Sequence, residues 1–147
     1  MKDPQLYDLI PHREPMLLID RVVHVAAESA VAEVEIHSQA SFFESGKGVP
    51  AWIGLEYMGQ TAALIAGHQL RKGLTQPHLG FLLGTRQYVM NTSWFCDGDT
   101  LRVECVQVAV TGQHLAQFQC TVSRAGEALA TAKLSVYRKP LQQGATV

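Results

Sequence analysis

The sequence predicts an α+β domain in which one long buried helix is wrapped by a curled antiparallel sheet. Two observations carry that expectation. Residues 49–70 hold almost nothing but apolar and small residues, and are long enough for roughly five helical turns. The remaining chain falls into alternating runs separated by turn residues, two before the helix and four after it. A single buried helix against antiparallel strands is one of the few stable layer arrangements. The chain has 147 residues, enough for one domain with a real core. We expect that domain over residues 1–140 and a polar tail over 141–147.

Residues 3–10 read as a short helical turn ended by Pro11, and His12, Arg13, Glu14 and Pro15 as a polar loop. Strands are expected at Met16–Val25 and Ser29–Ile36, joined by Ala26-Ala27-Glu28, with Val and Ile of the second strand on one face. His37 ends that strand. Residues 38–49 form a glycine-containing loop. Pro50 suits the first turn of a helix, where a missing N–H costs nothing, and good helix formers follow from Ala51. Gly54, Gly59, Ala63 and Gly67 leave room for other backbones to approach. Lys72-Gly73 is a stop signal, and residues 74–78 read as a loop. Gly80–Met90 reads as a strand, with Gly84 marking a bulge or a close approach. Thr100–Val110, His114–Arg124 and Ala128–Tyr137 at hairpin spacing make a meander.

Composition excludes several function classes. The formal net charge is -1, and no Lys/Arg cluster resembles a nucleic-acid footprint. No uninterrupted apolar run reaches the ~18–20 residues of a membrane span, because Glu56, Gln60 and His68 break the longest one. The N-terminus reads as carrying no signal peptide. Cys96, Cys105 and Cys120 lack metal-ligand or disulfide spacing and read as reduced cytosolic packing thiols. No metal or cofactor is expected.

Glu56 stands out as the one carboxylate of an otherwise apolar helix. On a buried helix it must be paired, hydrogen-bonded or protonated, which makes it the first functional suspect. Gln60 lies four residues on, on the same face.

Two stretches give a resemblance. Leu9-Ile10-Pro11-His12-Arg13 with Pro15-Met16-Leu17-Leu18-Ile19-Asp20-Arg21-Val22, and Leu55-Glu56-Tyr57-Met58-Gly59-Gln60-Thr61, are similar to the opening and helix motifs of the 3-hydroxyacyl-ACP dehydratases. Gly80-Phe81-Leu82-Leu83-Gly84 and Gly98-Asp99-Thr100-Leu101 resemble two later motifs of that family. The resemblance spans about residues 9–140. It implies a hot-dog fold, and the Pro50-to-Gln60 pattern looks closest to dehydratases of aryl-polyene pathways. The family's acid falls on Glu56. Its base does not map directly: the family has F-F-x-G-H-F-P before the helix, whereas residues 42–50 here are F-F-E-S-G-K-G-V-P.

The resemblance implies dehydration of a 3-hydroxyacyl chain on acyl carrier protein or CoA to the trans-2-enoyl product, in fatty-acid or aryl-polyene-like synthesis in the cytoplasm, by a homodimer or higher homo-oligomer paired through a sheet edge. That chemistry needs a base, an acid and donors for the thioester oxygen. Glu56 is the expected acid and His37, at the start of the loop feeding the helix, the provisional base, with His12 next in line. Backbone N–H groups around Ala51 and Gly54 at the helix start are expected to face the thioester oxygen. Trp52, Gln60, Phe42, Phe43, His12 and Arg13 complete the expected substrate wall. Lys47 is a candidate contact for a carrier's phosphate. The competing expectations are an acyl-thioesterase on the same fold, and a non-catalytic hot-dog subunit that partners an active dehydratase.

Overall fold

The computed structural model describes residues 2–74, 78–112 and 114–140. In chain order the elements are α1 (Pro4–Leu9), β1 (Arg21–Val25), β2 (Ser29–Glu35), β3 (Val49–Pro50), a 3-10 turn (Ala51–Ile53) and α2 (Gly54–Arg71). They are followed by β4 (His78–Met90), β5 (Trp94–Phe95), β6 (Thr100–Thr111), β7 (Leu115–Arg124) and β8 (Glu127–Pro140). Six strands make one antiparallel sheet in the order β1-β2-β6-β7-β8-β4, and β3 pairs with β5 in a second, two-stranded sheet. The large sheet is open, with β1 and β4 as its edges.

The expected architecture is present, with differences that have local causes. Met16–Asp20 is not a strand. Met16 N and Leu17 N both donate to Arg13 O in a turn, and the Gln60 side chain takes the next two N–H groups. With those groups spent, pairing with β2 begins at Arg21. Pro50 does not open the helix either. It is extended at φ -56, ψ 135 and pairs with Trp94, so α2 starts at Gly54 after the 3-10 turn. The β6-β7-β8 meander is continuous, and the register of β4 shifts between Leu82 and Gly84, where a bulge was expected. α2 ends at Arg71 with Gly73 at φ 70 behind it. The expected polar tail at 141–147 and most of the 74–78 loop lie outside the described residues.

The core forms between one face of α2 and the inward positions of the strands. Tyr57, Met58, Leu64 and Ile65 of the helix meet Ala32 and Val34 of β2, Leu101 and Val103 of β6, Phe118 and Val122 of β7, and Leu134 of β8. Two glycines of α2 mark close approaches. A Cβ on Gly67 would lie 2.0 Å from the carbonyl oxygen of Leu9, so glycine there lets the end of α1 rest directly on α2. A Cβ on Gly54 would fall against the Tyr88 hydroxyl and the Phe95 ring. Because the Gly67 neighbour is backbone, it has little room to give. Gly67→Ala is expected to cost about 1–3 kcal/mol, read as a lowered urea midpoint at unchanged m-value.

Candidate active site

The other face of α2 is only partly covered. Glu56, Gly59, Ala63, Ala66, Gly67 and Leu70 follow one another at helical spacing and floor a groove of about 360 Å³. Leu9, Pro11 and His12 form one wall, and Phe118, Val136 and Arg138 another. The lining is mainly apolar with few polar groups, as small-molecule sites are. A Cβ on Gly59 would meet nothing within 4 Å, so that glycine opens onto the groove.

Glu56 is exposed in the single chain, not buried as its apolar surroundings in the sequence led us to expect. It is held by Gln60, which is fully buried. The Gln60 oxygen accepts from Leu18 N at 2.9 Å and Ile19 N at 3.4 Å; its NH₂ donates to Met16 O at 2.7 Å and to Glu56 Oε1 at 3.1 Å. Every hydrogen-bonding position of the amide is thus used. One side chain thereby clamps residues 16–19 onto α2 and orients the carboxylate.

His12 is the titratable partner the structure gives Glu56. The two line the same groove, and the Glu56 charge acts on the imidazole. Burial nevertheless dominates and pushes the His12 pKa below its ordinary value, with Arg13 acting in the same direction. Nδ1 of His12 is shielded from solvent and has no partner among the described residues. An imidazolium carries an N–H on both ring nitrogens, so an unpaired buried nitrogen favours the neutral ring.

Arg13 explains how the imidazole is held. Its guanidinium lies over the Tyr7 ring at 5.1 Å and donates to Ile10 O, His12 O and Tyr7 O at 2.8 to 3.1 Å. It braces the turn that carries His12 and does not itself line the groove. Tyr7 in turn donates to Glu14.

The other expected site residues lie elsewhere. His37 is exposed, with Nδ1 accepting from Gln39 N at 3.1 Å, and is not among the residues lining the groove. Ala51 N–H donates to Ser93 O, and Gly54 N–H closes the 3-10 turn on Ala51 O and Trp52 O. Those two donors are spent inside the chain, and Gly54 packs against Tyr88 and Phe95. Trp52 is 61% exposed and Phe42 44% exposed; Phe43 packs on the edge of the core. Lys47 lies 5.4 Å from the Trp94 ring centre. Among the described residues, no His/Cys/Asp/Glu group could hold a metal ion, and no helix is long and apolar enough to cross a membrane.

An α2-type helix, open on one face and wrapped by an antiparallel sheet in this strand order, defines a hot-dog domain. The solved structures agree on the fold. The dehydratase heterocomplex ApeI:P from Xenorhabdus doucetiae superposes with a TM-score of 0.82 at 23% identity, covering 93% of this chain and 91% of that one. A hypothetical thioesterase with coenzyme A from Streptococcus pneumoniae superposes at 0.65 with 9% identity, covering 84% and 88%. Among curated relatives, the 3-hydroxyacyl-[acyl-carrier-protein] dehydratase FabZ of Bartonella quintana is 28% identical over 136 residues, 89% of this chain and 85% of that protein. That of Paramagnetospirillum magneticum is 39% identical over 66 residues, 42% and 41% of the two chains. The ApeP-like family model, described as ApeP dehydratase, matches residues 4–146. The chain therefore belongs to the ApeP-like dehydratase family.

Proposed function

We propose that this chain removes water from 3-hydroxyacyl thioesters carried by acyl carrier protein, giving trans-2-enoyl products, with Glu56 and His12 as its acid–base pair. The observation that carries this reading is the pair itself: a carboxylate and a neutral imidazole on one apolar groove. His12 takes the α-proton; a neutral imidazole is the side chain suited to that task near pH 7. Glu56 gives a proton to the departing hydroxyl. In the free chain its carboxyl is in water. A substrate lying in the groove displaces that water and brings its 3-hydroxyl against the carboxyl. Gln60 keeps the carboxyl aimed throughout.

Assembly belongs to the same proposal. β4 pairs with β8 on one side only, and its outer end exposes Val89 and Met90. An uncovered edge strand is a pairing surface, so a second copy adding to β4 extends the sheet and makes a homodimer. The reaction is placed in the cytoplasm, in keeping with three free cysteines.

The test is incubation of the purified protein with a 3-hydroxyacyl carrier protein, followed by mass spectrometry across a pH series. Loss of water from the acyl chain supports the proposal. Release of the free acid moves the protein to thioester hydrolysis, and no conversion of any chain favours a non-catalytic role beside another dehydratase. The pH series has a definite sign. His12 acts when unprotonated and its pKa is lowered, so kcat/KM falls on acidification only below pH 6.5, the ordinary histidine value. A limb at or above that value contradicts His12 as the base.

A further inference from the structure

The inward side of β8 runs Ala130, Ala132, Leu134 and Val136, the first three fully buried and the fourth on the groove wall. Strand alternation makes Arg138 the next residue on that side. A cation is thus placed on the core-facing side of a strand. β6 does something similar: Leu101, Val103 and Cys105 are buried inward residues, and Gln107 follows them. The two polar residues meet, with Arg138 Nη2 donating to Gln107 Oε1 at 2.8 Å. Among the described residues no carboxylate is within ion-pair distance of Arg138. Burial without a counter-charge pushes its pKa down, although an arginine keeps its proton. A guanidinium has five N–H donors, and among the described residues the bond to Gln107 uses one of them.

Its position along the groove follows from the register. Tyr88, which donates to Ala51 O and touches Gly54 at the start of α2, sits next to the Val89–Thr131 rung of β4 and β8. From Thr131 the strand advances about 23 Å to the Arg138 backbone at about 3.3 Å per residue. The guanidinium, however, reaches back to Gln107, which pairs with Phe118 and through it with Leu134, about 10 Å beyond Thr131. Glu56 lies in the first turn of α2. The groove therefore has Glu56 near the start of α2, a floor of glycine and alanine, and, about 10 Å further along the sheet, a cation with no counter-charge among the described residues.

We infer that Arg138 selects acyl chains whose far end carries a hydrogen-bond-accepting oxygen, a carboxylate above all. The inference rests on the dehydratase reading for the orientation of the chain, with the thioester at Glu56 and the far end at Arg138. An alkyl end would leave the guanidinium half desolvated and unpaired, whereas an acceptor oxygen supplies the missing partner. Charged hydrogen bonds of this kind are worth a discrimination of about 10- to 100-fold.

The experiment compares a medium-chain 3-hydroxyacyl thioester ending in methyl with its ω-carboxy counterpart. Each is presented on carrier protein and on pantetheine, which lacks the phosphate. Wild type is expected to prefer the ω-carboxy chain in kcat/KM on both carriers. Arg138→Met is expected to shrink that preference by about 10- to 100-fold, and Arg138→Lys to keep part of it. A preference unchanged in Arg138→Met overturns the inference. So does a loss that is equal for both chains and vanishes on pantetheine, which would assign the guanidinium to the carrier's phosphate. Calorimetric binding of the two saturated acyl pantetheines, which do not react, reads the preference separately from turnover. A binding preference without any turnover keeps Arg138 as an end-group contact and removes the dehydratase reading instead. Wild-type-like melting of Arg138→Lys controls for folding.

Discussion

Glu56→Gln is expected to lower turnover of a 3-hydroxyacyl thioester by about 10²- to 10⁴-fold, the range typical of a lost general acid. The substitution is nearly isosteric. The replacing amide can still accept from Gln60 through its oxygen, so the clamp between residues 16–19 and α2 stays closed. Glu56 is exposed and makes no ion pair among the described residues, and a surface substitution of this sort changes stability by about 0.5 kcal/mol or less. A dead enzyme with an unchanged urea midpoint is therefore the expected pattern. Activity within a few-fold of wild type would remove Glu56 from the chemistry.

Gln60→Leu is expected to act on stability first and on activity through it. Leucine fills the volume but leaves Leu18 N and Met16 O without their partner, beside a weaker loss at Ile19 N. The orphaned buried Leu18 N costs about 1–3 kcal/mol, whereas Met16 is exposed, so a loss of about 2 kcal/mol is expected by urea denaturation. The segment that delivers His12 also loses its tether to α2, and Glu56 loses its orienting donor. Small misplacements of catalytic groups cost up to about 10²-fold. A stabiliser such as glycerol should restore folded protein in this variant without restoring kcat. Full kcat in the folded fraction would show that Gln60 is a packing residue only.

The fold was legible because burial leaves periodic traces. The apolar stretch at 49–70 announced the helix, the alternation at 100–137 announced the meander, and Lys72-Gly73 announced the helix end. What alternation does not reveal is which backbone groups a distant side chain will take. Residues 16–20 look like a strand, yet Gln60 and Arg13 use their hydrogen-bonding groups. The candidate site was legible in one half. Glu56 stood out as an acid among apolar neighbours, though the same neighbours suggested burial, and the sequence does not say that one face of α2 is left partly open. His12 was harder to place because it sits 44 residues from Glu56, on a turn whose shape depends on Arg13 and on contact between Leu9 and Gly67. His37 looked closer along the chain, but its ring accepts from the backbone of its own turn. Arg138 did leave a signal: it continues the even-numbered inward row of β8.

The pairing of Glu56 with His12 is the centre of this account, and kcat/KM for dehydration in His12→Ala and His37→Ala tests it most directly. The account predicts a loss of about 10²- to 10⁴-fold in His12→Ala and a rate close to wild type in His37→Ala, with both variants folded. The reverse order, His37→Ala inactive and His12→Ala active, would contradict it and place the base on the loop that leads into α2.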